Sequence, residues 1–150
     1  MTTDTSPAAV DAGTAARSRA ERLRTLDRLV GTWTVSGPDD LTGEVRYEWM
    51  DGGGFLVQHV DLHSAGEHTH GVEYIGVDPT TGELRSHYFG NDGEVLEYTY
   101  RIEGDLLTIW FGGTDSPARF EGRFSSDGRS NHGAWQWPGG GYESSMTRAA

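Results

Sequence analysis

The chain has no cysteine in its 150 residues, which excludes disulfides, thiolate nucleophiles and Cys-ligated zinc or iron-sulfur centres. Positive charge is scarce, with 12 Lys and Arg against 23 Asp and Glu and a formal net charge of -11. Binding to phosphate backbones needs clustered cations that displace counterions, so no nucleic-acid partner is expected. No apolar run approaches the ~20 residues of a membrane-crossing helix. The opening stretch "MTTDTSPAAVDAGTAARS" has neither a basic nor an apolar segment of the kind that marks a secretory signal. The expectation is a cytoplasmic protein with no membrane partner. The same stretch is too poor in large side chains to offset its ordering entropy, so disorder is expected from Met1 to about Ala16, with one domain over 17–150.

Glycine, by contrast, is abundant at 22 residues, while hydrophobic residues are 35% of the chain. That balance argues against a helical bundle and for strands punctuated by turns. In "SRAERLRTLDRLVG" the residues Leu23, Leu26, Leu29 and Val30 recur at threes and fours, which predicts one short helix with Arg22, Arg24 and Asp27 outside and Gly31 as its stop. Thereafter the period is two. Nine turn signals follow: "SGPDDLTG", "MDGGG", "HSAGEHTHG", "DPTTGE", "GNDGE", "IEGD", "GGTDSP", "SSDGRS" and "WPGGG". Nine turns imply about ten strands.

Alternation marks an apolar face in several of them: Val45, Tyr47 and Trp49; Leu96, Tyr98, Tyr100 and Ile102; Ala118, Phe120, Gly122 and Phe124; and Tyr142, Ser144, Met146 and Arg148. Short connections make antiparallel neighbours. An open sheet of that size would leave long unpaired edges, so the expected fold is all-β, a closed antiparallel up-and-down barrel of about 8–10 strands with one short N-terminal helix. Closure would pair the first strand with the last and bring Arg148 beside Trp33. A guanidinium stacked on an indole contributes about 0.5–2 kcal/mol. The plainer alternative is that "GTW" is a turn followed by a core aromatic.

These features resemble the calycin superfamily of lipocalin and fatty-acid-binding barrels, which open with G-x-W after a short helix, here Gly31-Thr32-Trp33, and end with an Arg on the Trp, here Arg148. More closely, "LVGTWTVSG", "GGGFLVQHV", "IGVDPTTGELRSHYF" and "EGDLLTIWF" look like a bacterial calycin-like family of unknown function, over about Leu26 to Arg148. The resemblance implies a hollow barrel and carries no activity with it. The start is also similar to nitrobindin-type haem barrels, whose haem is held by a His near the C-terminus. Here no His follows His132, and only Tyr142 lies in that region. No cofactor is expected.

Six histidines are the obvious chemistry. His68 and His70 share a strand face and could chelate a metal, supplemented by His63 or Glu73. The run looks like that of cupins, but only two residues separate His70 from Glu73, which sends Glu73 to the opposite face. The alternative is an exposed polar loop. His59 and His87 lie within strands, and "FLVQHVD" does not decide which face is inward. Pointing inward, they would sit among Tyr47, Tyr74, Tyr98 and Trp135 in a typical small-molecule site, where desolvation favours a neutral base. Pointing outward, they would bond neighbouring strands. Trp135 and Trp137 form an aromatic wall or part of the core. No G-x-S-x-G occurs, and the Gly-rich turns precede no helix that could cradle phosphate.

Two functions follow. The first is binding of a small, largely apolar or aromatic molecule in the cavity, with Tyr47, Tyr74, Tyr100, Phe120, Trp135 and Tyr142 as its lining. The second is a cofactor-free cyclase, isomerase or hydrolase using His59, His87 and Tyr98 as acid-base groups. The chain is expected to be a monomer or a homodimer, since Trp110 and Tyr88 read as exposed aromatics.

Overall fold

A computed structural model describes residues 7–149, with side chains from residue 16 on. Of the stretch expected to be disordered, Met1 to about Ala16, residues 1–6 lie outside the described residues, and the backbone from Pro7 on is described as part of a helix. Helix α1 spans Pro7–Arg24 and runs into a 3-10 turn at Thr25–Leu29. Ten strands follow among the described residues: β1 (Gly31–Ser36), β2 (Thr42–Trp49), β3 (Leu56–Ser64), β4 (Glu67–Val77), β5 (Leu84–Gly90), β6 (Val95–Glu103), β7 (Leu106–Phe111), β8 (Arg119–Phe124), β9 (Ser130–Trp137) and β10 (Gly140–Arg148). Each pairs antiparallel with its chain neighbours, and β1 pairs with β10 to close the barrel. All nine turn signals fall between strands. Three of the turns are fixed by an aspartate that accepts the backbone N–H two residues on, at Asp78, Asp92 and Asp127.

One end of the barrel is sealed. Leu26 and Leu29 enter it with Trp33, Leu56, Ile75 and Leu84, all fully buried. The Trp33 indole donates to the Leu29 carbonyl at 2.7 Å. Arg22 and Arg24, expected outside, instead donate to the carbonyls of Gly82 and Gly53, and Arg28 donates to that of Gly104. Those glycines lie in three of the four turns at this end. Arg148 takes the fourth at Gly128 (3.0 Å) and also donates to the Val30 (2.5 Å) and Arg28 (2.8 Å) carbonyls. Its guanidinium lies 4.2 Å from the Trp33 ring centre, and the two residues are register partners. Four arginines thus tie the N-terminal segment to all four turns, because turn carbonyls left without strand partners need donors.

Gly31 is the first residue of β1 rather than a helix stop. Its φ of 124° suits glycine, and a Cβ there would fall 2.7 Å from the Arg148 Nη1. The α-helix itself ends earlier, at Arg24, and tightens into the 3-10 turn that aims Leu26 and Leu29 into the barrel.

Candidate functional site

Inward-facing side chains change character along the barrel axis. At the sealed end they are apolar and buried, among them Leu26, Leu29, Trp33 and Phe124. In the middle they are polar and buried: the Glu73 carboxyl accepts hydrogen bonds from the Ser86 hydroxyl (2.5 Å) and the Tyr100 hydroxyl (2.7 Å). Beside them Gln58 Nε2 donates to the Tyr47 hydroxyl at 2.9 Å. Toward the far rim the rings of Tyr98, Phe111, Trp135, Trp137 and Tyr142 follow, and they are half-buried or exposed. Alternation puts them on the inner face: Tyr98 pairs with Phe111 and Trp135 with both Phe120 and Tyr142.

The rings touch in sequence. Tyr98 meets Phe111 at 5.6 Å and Trp135 at 6.0 Å, Trp135 meets Phe120 at 5.7 Å, and Trp137 meets Tyr142 at 6.0 Å. Phe120 can lie flat against the wall because Gly122 and Gly133, paired across β8 and β9, leave it bare. A Cβ on Gly133 would fall 2.7 Å from the Phe120 Cζ. The rim is notched beside this cup. β1 pairs with β10 only as far as Ser36 and Ser145, so the upper part of β10 rises past the end of β1. A recess of about 500 Å³ opens there between Ser36–Asp39 and Gly141–Ser145. The hollow middle expected from the sequence is occupied by Tyr47, Tyr88, Tyr100 and Phe120, each at most 8% exposed. Besides the rim recess, a second recess lies on the outer wall beside His59, Asp61 and His70.

Burial governs the titration of the inner groups. It raises the Glu73 pKa above the ordinary carboxylate value, outweighing the Ser86 and Tyr100 hydrogen bonds that favour the charged form. Burial, then the nearby Glu73 charge, raises Tyr47, Tyr98 and Tyr100, and burial raises Tyr142. All four phenols therefore stay neutral hydrogen-bonding groups near pH 7. Asn131, 1% exposed on the inner face of β9, has no hydrogen-bond partner among the described residues at either side-chain atom.

Of the sequence candidates, Tyr47, Tyr98, Tyr100, Phe120, Trp135 and Tyr142 face inward. Tyr74 does not: it is exposed on the outer wall, where its ring meets Phe89 at 6.2 Å. His59 and His87 also lie outside, so the His–Tyr combination is not assembled. His59 Nε2 sits 3.1 Å from Glu48, and His87 Nε2 sits 2.8 Å from Glu97. Tyr88 faces inward, and Trp110, though outward, is buried beneath Arg101; neither is the exposed aromatic expected from the sequence. His68 and His70 share the outer face of β4, as the alternation requires, while Glu73 lies inside. Glu73, offered by the sequence only as a supplement to the outer histidines, belongs instead to the inner group with Ser86 and Tyr100. Its phase with Ile75 was the available signal.

Among the described residues no helix is long and apolar enough to cross a membrane. No family model matches the sequence, and no curated protein does.

Proposed function

We propose that this chain is a calycin-type barrel that binds a small, largely aromatic or apolar molecule at its open end, among Tyr98, Phe111, Trp135 and Tyr142. One observation carries the reading: the inward-facing rings that stand exposed, Phe111, Trp137 and Tyr142, are all at one end, while at the other the half-buried Trp49 lies beneath Arg24 and four arginines and the Trp33 indole close the barrel. Exposed rings arranged as a concave wall lower their free energy by covering apolar area, at about 25 cal/mol per Å². The neutral phenols and the half-buried Gln58 and Ser144 supply a few polar contacts deeper in, enough to orient a ligand. The helix-G-x-W opening and the Trp33–Arg148 stack are the features shared with that superfamily. The enzymatic alternative loses its bases, since His59 and His87 are on the far side of the wall.

Native mass spectrometry of protein from its own host should show a retained small molecule, and the neutral probe N-phenyl-1-naphthylamine should bind saturably. Trp135→Ala should weaken the probe at least about tenfold, or roughly 1.4 kcal/mol, while Tyr74→Ala on the outer wall should not. No retained mass together with unsaturable probe fluorescence would overturn the reading.

A further inference from the structure

The outer face of the β3–β4 hairpin carries a different chemistry. The antiparallel register sets His63 opposite His68 and Asp61 opposite His70. His68 Nε2 lies 2.6 Å from Asp61 Oδ1, and His63 Nε2 approaches the same oxygen at 3.6 Å. The two imidazoles are stacked, with ring centres 4.2 Å apart and planes 6° from parallel. One ligand atom from each of Asp61, His63 and His68 therefore fits within 4.8 Å of the others. A hydrogen bond explains the placement of His68 alone; at 3.6 Å His63 is too far from Oδ1 for one.

The turn of the hairpin fixes the register that brings these side chains together. Its two turn residues, Ala65 and Gly66, have φ of 51° and 80°, the left-handed pair whose twist matches that of antiparallel strands. The turn is also anchored from outside, since the Ala65 N–H donates to the Asp39 carbonyl at 2.9 Å. His70 stacks on His68 at 5.3 Å and accepts from Asn91 Nδ2 at 2.8 Å, which buttresses the ligand ring. Glu44, opposite Asp61 on β2, adds negative charge in a chain that already carries -11.

We propose that Asp61, His63 and His68 form a surface site for one borderline divalent cation of the zinc, nickel or copper(II) class. Two imidazoles and one carboxylate suit these ions, whereas calcium and magnesium prefer oxygen alone. Three protein ligands on an exposed face leave the remaining positions to water. Glu73, the supplementary ligand that the sequence spacing offered, is on the opposite side of the wall and takes no part.

The test is calorimetric titration of the untagged chain with zinc chloride alone. One ion should bind per chain, and His63→Gln and His68→Gln should each weaken it at least about tenfold, since even loss of an outer partner costs that much. His87→Gln, an outer-face histidine on β5, should bind as the unchanged protein does. Zinc should raise the Tm of the unchanged protein and of His87→Gln but not that of His63→Gln, and unfolding curves without metal verify that each variant folds. Uptake well below one ion per chain, or undiminished binding by His68→Gln, would overturn the proposal.

Discussion

Replacing Arg148 by alanine should remove about 3–5 kcal/mol of stability, a large part of the 5–15 kcal/mol typical of a domain. The guanidinium donates to three carbonyls, at Val30, Arg28 and Gly128, and stacks 4.2 Å from the Trp33 ring. Hydrogen bonds from a charged donor are worth about 1.5–3 kcal/mol each, and the stack about 0.5–2 kcal/mol. The side chain is only half-buried, so water can replace part of what is lost, which brings the figure down from the full sum. Arg148→Lys keeps the charge but cannot span three acceptors, and should cost about half as much. Burial, then the nearby Arg129 charge, lowers the Arg148 pKa from its ordinary value, a desolvation cost that the three carbonyls and the indole offset. Urea unfolding at neutral pH, with unchanged m, reads both variants. A loss below about 1 kcal/mol for alanine, or a lysine variant as stable as the parent, would refute the view that this residue clasps the sealed end.

Two further outcomes follow from the inner wall. Burial lifts the Glu73 pKa above its ordinary 4.5, so the folded form holds the proton more tightly than the unfolded chain. Its contribution is full below the unfolded value, declines as pH rises toward the folded pKa, and is flat above. Glu73→Gln should therefore gain stability relative to the parent across that window, by at most about 1.4 kcal/mol per pH unit; a difference independent of pH, measured by denaturation from pH 4 upward, would contradict this. Asn131→Leu removes an amide that has no partner at either atom and should raise the Tm by about 2–4 °C. A lower Tm on calorimetry would mean that the amide is bonded in solution.

The barrel was legible because its turns are chemically explicit and strands such as β2, β6 and β8 alternate cleanly. "VRYEW" and "LEYTYRI" place Tyr47, Tyr98 and Tyr100 inside without reference to any neighbour. β3 did not alternate cleanly, because Val57 lies on its outer face and Gln58 on its inner one. Val57 points outward yet is 7% exposed, beside Tyr74 across the strand pair. An apolar patch on the outer wall erased the contrast that would have set the phase of His59, and the same patch contains Tyr74 and Phe89. The role of the arginines was hidden for another reason: Arg22 and Arg24 are polar on a helix face, which reads as solvent, but their partners are carbonyls of turns far along the chain. Only closure brings those together. Glu73 was read only as a supplement to the histidines, because a carboxylate is expected outside unless it is bonded, and its two donors, Ser86 and Tyr100, come from other strands.

The joint between β1 and β10 has a consequence for how the molecule is made. Val30 and Arg148 are separated by 118 positions, so during synthesis the first hairpins can assemble while β1 waits for its second neighbour. Until residue 148 clears the ribosome, both margins of the growing meander are raw and Trp33 has no cation above it. Such a nascent chain is a target for strand-to-strand association with its own copies, and the interval of vulnerability is set by synthesis of the 118 positions between the two joined residues rather than by any single hairpin.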